Sequence, residues 1–181
     1  IERNGHGHEG PWNTTARMPI LRSPKHLTGP DLGVPSLTFR AWYEAQHGRD
    51  GWEKLYKIDR LDWLRYLLWV RRIVGLQVEN GVGLQKAEPA GDLLKATLST
   101  GETVHVRKLV MANGRDGAGG FRWPSFPSFD PADPKRAGRV FHTLEDIDFS
   151  ELVGKRIGVR GVLATAIDNA CTALEAGARE A

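Results

Sequence analysis

A short turn near the carboxyl end, Gly161-Val162-Leu163-Ala164-Thr165-Ala166, has the residue types that can cradle a diphosphate. At a helix start, free backbone N–H groups and the aligned peptide dipoles favour an anion, and glycines let the backbone come close to it. The dinucleotide-binding fingerprint is G-x-G-x-x-G/A, and Gly161 and Ala166 match its two ends, while Leu163 stands at the second glycine. A leucine there fills the volume that close phosphate approach requires, so nucleotide binding is expected to be weak or displaced. A plain strand-turn-helix, packed for structure alone, has the same pattern.

Other residues offer less. Glu2, in Ile1-Glu2-Arg3-Asn4, has the type of acid that ends the second strand of such a unit and hydrogen-bonds ribose hydroxyls. No strand, glycine turn and helix precede it, and an ordinary exposed acid is the competing reading. His6 and His8 sit two apart, but His26, His47, His105 and His142 are scattered, which predicts no metal site. Without a Gly-x-Ser-x-Gly elbow, a P-loop or a His-Glu-x-x-His run, hydrolysis and phosphoryl transfer lose their main signals.

The elements that must hold these residues are legible in part. Residues 5–34 are dense in Gly, Pro, His and Thr and predict a long ordered loop, of the kind that is usually functional. Helical material begins near Thr38, with Phe39, Trp42, Tyr43 and Gln46 on one face, a break at Gly48 and Gly51, and a continuation over Trp52 to Lys57. The clearest element runs from Asp59 to Val74. Asp59 serves as N-cap, Asp62 complements the dipole, and Trp63, Tyr66, Leu67, Val70, Ile73 and Val74 recur at helical spacing before Gly75. Leu68 and Trp69 widen that stripe, so this helix should pack on more than one side.

Short alternating runs then predict strands at Leu76 to Val78, Val82 to Ala87, Leu93 to Leu98 and Thr103 to Met111, joined by turns at Pro89-Ala90-Gly91-Asp92 and Ser99-Thr100-Gly101-Glu102. They read as an antiparallel meander entering Ala112-Asn113-Gly114. Residues 117–139 look like an interdomain crossing. Arg156 to Val159, the glycine turn and a helix over Thr165 to Gly177, with Ala166, Asn169, Ala170, Ala173 and Leu174 on one face, make half of a βαβ unit. Trp42, Trp63 and Trp69 are expected in the core. Trp12, Phe121, Trp123, Phe126 and Phe129 lie in loops, where they could equally wall an apolar pocket or pack.

Composition sets the outer bounds. At 181 residues and 40% hydrophobic content the chain can build one ordinary core or parts of two domains. The 25 basic and 22 acidic residues are interspersed, which argues against a nucleic-acid partner. The apolar segment Leu61 to Val74 is broken by Asp62, Arg65, Arg71 and Arg72, so no membrane span is expected. Cys171, the single cysteine, falls in an alanine-rich helical stretch and should pack as a small buried thiol. With no signal pattern at the amino end, a cytoplasmic setting is the default expectation.

Taken in order, these signals resemble the flavoprotein monooxygenases with two dinucleotide-binding domains, the class that includes flavin-containing, N-hydroxylating and Baeyer-Villiger enzymes. Ile1-Glu2-Arg3-Asn4 resembles the end of the second strand of the FAD domain. Gly10-Pro11-Trp12 is similar to the Gly-Gly-x-Trp flavin loop, with Pro11 for the middle glycine. Arg22-Ser23-Pro24-Lys25-His26-Leu27-Thr28-Gly29-Pro30 resembles the segment passing close to the isoalloxazine ring. Leu109-Val110-Met111-Ala112-Asn113-Gly114 is similar to the strand ending Ala-Thr-Gly, with Asn113 for Thr. Gly138-Arg139-Val140-Phe141-His142-Thr143 resembles the latter part of Phe-x-Gly-x-x-x-His-Ser/Thr, with Arg136 for Phe, and Leu152 to Val159 looks like the lead-in to the NAD(P)H turn. Asp168 matches a family acid.

The resemblance implies an α/β fold, a partial Rossmann-like flavoprotein with two dinucleotide-binding domains, a helical insertion and a three-stranded antiparallel meander. Residues 1–116 would be the later part of an FAD-binding domain, with the insertion over 13–75 and the meander over 76–112. Residues 117–181 would be the crossing and the start of an NAD(P)-binding domain. The chain would then be an internal fragment, inactive alone. Glu2, Trp12, Arg22, Ser23, Ala112 and Gly114 would contact FAD, Gly161, Ala164 and Thr165 would contact NAD(P)H, and Lys25 or His142 could help place the two rings. The intact enzyme would reduce FAD with NADPH or NADH and use O2 to oxygenate a small-molecule substrate. Leu163 departs from the pattern, and so does Arg160, a charge expected at the end of a buried strand, where it would cost several kcal/mol unless paired. Two other readings remain: a degenerate, non-catalytic nucleotide-fold module, and a pyridine-nucleotide-disulfide-type reductase, although the Cys-x-x-Cys usual in the latter is absent.

Overall fold

The computed structural model describes residues 1–114, 121–124, 129–133, 136 and 138–181. The chain divides into two compact units, one formed by Ile1–Thr14 with Pro19–Val110, the other by Thr15–Met18 with Met111–Ala181. Both α and β structure are present, and the three-stranded sheet is antiparallel.

In the first unit, α1 covers Phe39–Lys54 and α2 covers Arg60–Ile73. Thr38 caps α1 by accepting from the Ala41 N–H, and Gly48 kinks the helix at φ 69°, a left-handed conformation that glycine takes without a Cβ penalty. Asp59 caps α2 through the N–H groups of Leu61 and Asp62, and Arg71 and Arg72 occupy its last turn, where cations offset the dipole. Both helices thus start and end within a few residues of the positions that capping and spacing predict.

The two helices meet in an aromatic core. Phe39 and Tyr66 are fully buried and Trp52 nearly so, with Trp42, Ile58, Leu21, Leu64 and Val70 around them. The Phe39 ring lies 5.3 Å from Tyr66 at 85° and 5.5 to 6.4 Å from Trp42, Tyr43, Trp63 and Trp52. Edge and tilted arrangements of this kind match the quadrupoles of the rings. Trp42 is core as expected, while Trp63 and Trp69 are half-buried. Ile73 and Val74, assigned to the same stripe, are exposed at the end of α2.

Tyr66 also carries a polar duty. Its hydroxyl contacts the carbonyls of Thr28 at 3.1 Å and Leu37 at 2.8 Å, tying the loop before α1 onto α2. Burial, with a contribution from the Asp31 charge, pushes the phenol up to about 12. The folded state therefore favours the neutral phenol, and this stabilisation is fully present below pH 10 and lost as pH rises through about 12. A tyrosine absorbance titration should show a late-ionising phenol that Tyr66→Phe removes.

The meander follows as β1 (Leu84–Ala90), β2 (Leu93–Leu98) and β3 (Thr103–Val106), in that spatial order. Ala90 pairs with Leu93 across Gly91 and Asp92, and Leu94 pairs with Val106 on the other side. The register slips between Leu84 and Lys86, and Pro89 sits in β1 opposite Leu94. Ala96 and Leu98 face the interior. Three expectations change here. Leu76 to Val78 is not a strand, Pro89 and Ala90 belong to β1 rather than the turn, and β3 stops at Val106, before the exposed pair Arg107-Lys108.

In the second unit α3 covers Ala164–Glu175. Leu152, Ala173 and Ala178 form its core, with Phe141, Ile147, Phe149 and Ile157 packed against them. Arg156 and Glu180 pair in a parallel bridge, Ile157 N–H donating to the Glu180 carbonyl at 2.9 Å and Arg179 N–H to the Lys155 carbonyl at 2.8 Å. The chain thus runs extended, crosses by α3 and returns parallel. The strand expected over Arg156 to Val159 is reduced to this bridge. Asn169 and Ala173 are the buried positions of α3, whereas Leu174 is 46% exposed, against the face assigned to it. Cys171, expected inside, is exposed because Asn169 and Ala173 take the inward positions. Arg160 is likewise exposed, so the desolvation cost expected for it does not arise.

Candidate functional site

Glu2 pairs with the stretch ahead of β1. Its N–H donates to the Glu79 carbonyl at 2.8 Å, its carbonyl accepts from Val82 N–H at 3.1 Å, and the bridge to Asn80 is parallel. One carboxylate oxygen, Oε1, accepts from the Asn4 N–H at 2.9 Å. The acid is therefore held half-buried at an isolated parallel bridge.

The glycine loop that follows is fixed by an ion-paired cluster. Arg71 bonds Glu9, reaches the Asn80 Oδ1 at 3.0 Å and the Val78 carbonyl at 3.3 Å, while Asn80 Nδ2 donates to Glu9 at 2.9 Å and to the Asn4 carbonyl at 3.1 Å. Burial acts to raise the Glu9 carboxyl, but the bonds from Asn80 and the backbone, with the Arg71 charge, outweigh it and hold the carboxyl below its usual value. Further along, Trp12 meets Trp63 edge-on at 6.3 Å, and its carbonyl accepts from Arg60.

Arg22 and Ser23 lie exposed just past a backbone pairing with the entry to α2. Leu21 N–H donates to the Ile58 carbonyl at 2.7 Å, and Arg60 N–H to the Pro19 carbonyl at 3.0 Å. Lys25, offered as a ring-placing residue, instead donates to the Trp52 carbonyl at 2.7 Å and lies 4.8 Å above the Trp52 ring. Its ammonium is thus engaged with the end of α1. Helix α2 is the common support of the first unit, with Arg60 in its first turn on the Trp12 carbonyl and Arg71 in its last turn on Glu9.

The remaining candidates lie in the second unit. Gly161 precedes α3, and a Cβ built there would come within 2.7 Å of the Ala166 Cβ, so its lack of a side chain serves close packing on the helix. Leu163 is the N-cap of α3 at φ −108° and ψ 172°, backbone that any residue adopts, and it is 74% exposed. Ala164 and Thr165 form the first turn, and no side chain caps the helix start. The Thr165 carbonyl accepts from Asn169 Nδ2 at 2.8 Å, while the buried Asn169 Oδ1 has no protein partner. Ala112 and Gly114 are exposed, Gly114 at φ 60°.

His142, the other ring-placing candidate, stacks on Phe121 at 4.6 Å and meets Trp123 edge-on at 5.3 Å. Its Nδ1 accepts from the Leu144 N–H at 3.2 Å. Arg136 lies over the Trp123 ring and pairs with Glu145 at 2.9 Å, and Glu145 in turn accepts from the His142 N–H. Arg136, at the position where the family signature has Phe, thus acts as an aromatic partner through its guanidinium. Phe121, Trp123 and Phe129 pack with each other or with His142, and Phe126 lies outside the described residues.

Sequence reading missed Glu9, Lys57, Arg60, Arg71 and Asn80. The available signal was weak: cations at both ends of α2 and an Asn-Gly pair ahead of β1. Among the described residues no group of three or more His, Cys, Asp or Glu side chains comes together as a metal set. No described helix is long and apolar enough to cross a membrane.

With this geometry in place, comparison with known proteins supports a relationship to the FAD-dependent flavoprotein hydroxylases. The relative that carries this is the FAD-dependent urate hydroxylase of Xanthomonas campestris pv. campestris, 45% identical over 183 aligned positions that take in 100% of this chain and 38% of that protein. The chain thus spans well under half the length of the relative. That similarity agrees in part with the resemblance to FAD-dependent flavoproteins read from the sequence. No family model matches the chain, and no solved structure matches it.

Proposed function

We propose that this chain supplies the cofactor-facing part of an FAD-dependent hydroxylase that works as a monooxygenase with NAD(P)H, O2 and a small-molecule substrate. The observation that carries the reading is identity of 45% along the whole chain to a protein named as an FAD-dependent hydroxylase. FAD, when bound, supplies the redox chemistry, accepting electrons from a reduced nicotinamide and passing them to O2.

The residues present fit these groups. Glu2 is a half-buried acid at a parallel bridge, one oxygen already oriented by the Asn4 N–H, which suits a ribose diol. Trp12 is anchored through its ring and carbonyl, and Arg22 and Ser23 present exposed polar side chains, so these three would contact the flavin. For the nicotinamide nucleotide, the parallel bridge, Gly161 and the uncapped start of α3 make a helix terminus suited to a diphosphate, with Ala164 and Thr165 lining it. The exposed Leu163 side chain narrows that approach.

The test is expression of the polypeptide at the full length encoded by its gene. The purified protein is expected to carry flavin and to take up oxygen with NADPH or NADH; urate is the first substrate to try, since the relative is named for it. Leu163→Gly is expected to tighten nicotinamide-nucleotide binding. A protein that neither retains nor takes up FAD would overturn the proposal, and absent nucleotide binding with and without Leu163→Gly would favour a degenerate binding module.

A further inference from the structure

Two lysines hold the segment Arg22–Lys25 from opposite directions. Lys57, in the connector between α1 and α2, donates to the Arg22 carbonyl at 2.7 Å and to the Ser23 carbonyl at 3.4 Å. Lys25 reaches the other way, to the Trp52 carbonyl at 2.7 Å and the Glu53 carbonyl at 3.4 Å. Those are carbonyls of the last turn of α1, where the negative end of the dipole favours a cation. The Trp52 ring under Lys25 is 1% exposed and so gives the ammonium a fixed floor.

The two contacts lengthen a backbone pairing. Ile20 and Asp59 form an antiparallel bridge, and the Leu21 N–H bonds the Ile58 carbonyl at 2.7 Å. One residue further the chains diverge. The Lys57 side chain spans the gap where backbone bonding ends, and its N–H groups take carbonyls that no strand partner supplies. A charged donor on a neutral acceptor makes a stronger bond than two neutral groups. Arg22 and Ser23 therefore have their carbonyls turned toward Lys57 while their side chains remain exposed.

We propose that Lys57 and Lys25 form a reciprocal clasp that positions Arg22 and Ser23 for the flavin, with Lys57 as the positioning residue. This rests on the flavin reading of Arg22 and Ser23 given above. Both ammonium groups are spent on backbone carbonyls. Their effect passes through the backbone of the segment they grip, and the connector between α1 and α2 thereby controls a site to which it contributes no contact of its own.

The experiment uses the full-length protein, native and as Lys57→Met and Lys57→Arg, with bound flavin measured by absorbance and fluorescence, and amide exchange measured over residues 22–27. Lys57→Met is expected to weaken FAD binding about tenfold, to shift the flavin spectrum and to speed exchange in that segment, with Lys57→Arg restoring most of each. Native protein that holds FAD while Lys57→Met matches it in affinity, spectrum and exchange overturns the clasp and leaves the flavin reading standing. Faster exchange with unaltered FAD affinity and spectrum also overturns it, since Lys57 would then serve structure alone. Native protein that binds no FAD removes the flavin reading and the positioning role together.

Discussion

Phe39→Ala is expected to destabilise the protein by about 3–5 kcal/mol, a large share of the roughly 5–15 kcal/mol that holds a typical domain. Phe39 is fully buried, and the rings of Trp42, Tyr43, Trp52, Trp63 and Tyr66 all lie around it. Removing the ring leaves a cavity that these stiff neighbours cannot close, because each is already held by a helix or by another ring. Urea unfolding followed by tryptophan emission is a direct measure, since three of the five neighbours are tryptophans within the same core. Phe39→Leu keeps most of the volume and should cost less than about half as much. Equal midpoints for native protein and the alanine variant would show that this aromatic cluster does not govern unfolding.

Gly29→Ala should be nearly as damaging, for a different reason. Gly29 lies at φ +79°, where an L side chain is strained by about 1–2 kcal/mol. The new Cβ would also fall 2.6 Å from Tyr66 Cε1 and 2.7 Å from its oxygen. Tyr66 cannot swing aside without losing its contacts to Thr28 and Leu37, so overpacking adds about 1–3 kcal/mol. Gly33→Ala provides the internal control: Gly33 has φ +75° with nothing within 4 Å of the added Cβ, so only the conformational part applies. Thermal unfolding of the two variants should therefore separate by the packing part. Equal losses would mean that the Tyr66 contact relaxes freely.

Local chemistry explains what the sequence made readable. Asp59, the spacing from Trp63 to Val70, and Gly75 define α2 without reference to anything distant, and Thr38 and Gly48 do the same for α1. Leu93 to Leu98 is bounded by two turns and is found as β2 with those bounds. Parallel pairing is another matter. Arg156 to Val159 alternates as a strand should, yet a parallel strand takes its ladder from neighbours remote in sequence, and among the described residues only Glu180 pairs with it. The candidate site divides along the same line. Glu2, Gly161 and the α3 start could be named because a glycine, an acid or a helix terminus advertises its use nearby. Glu9, Lys57, Arg60, Arg71 and Asn80 could not, because Arg71 meets a residue 62 positions away and Arg60 one 48 positions away. A long cation carries no mark of which carbonyl or carboxylate it will find.

The slipped register at Leu84/Lys86 and the proline opposite Leu94 both fall on β1, which pairs on one side only, and the other border, β3, stops at Val106 with Arg107 and Lys108 immediately after. An incoming strand from another molecule needs an uninterrupted row of donors and acceptors to dock, and it would meet a missing N–H on one flank and two cations beyond a short flank on the other. The borders of this sheet thus disfavour edge-to-edge pairing with a strand of another molecule.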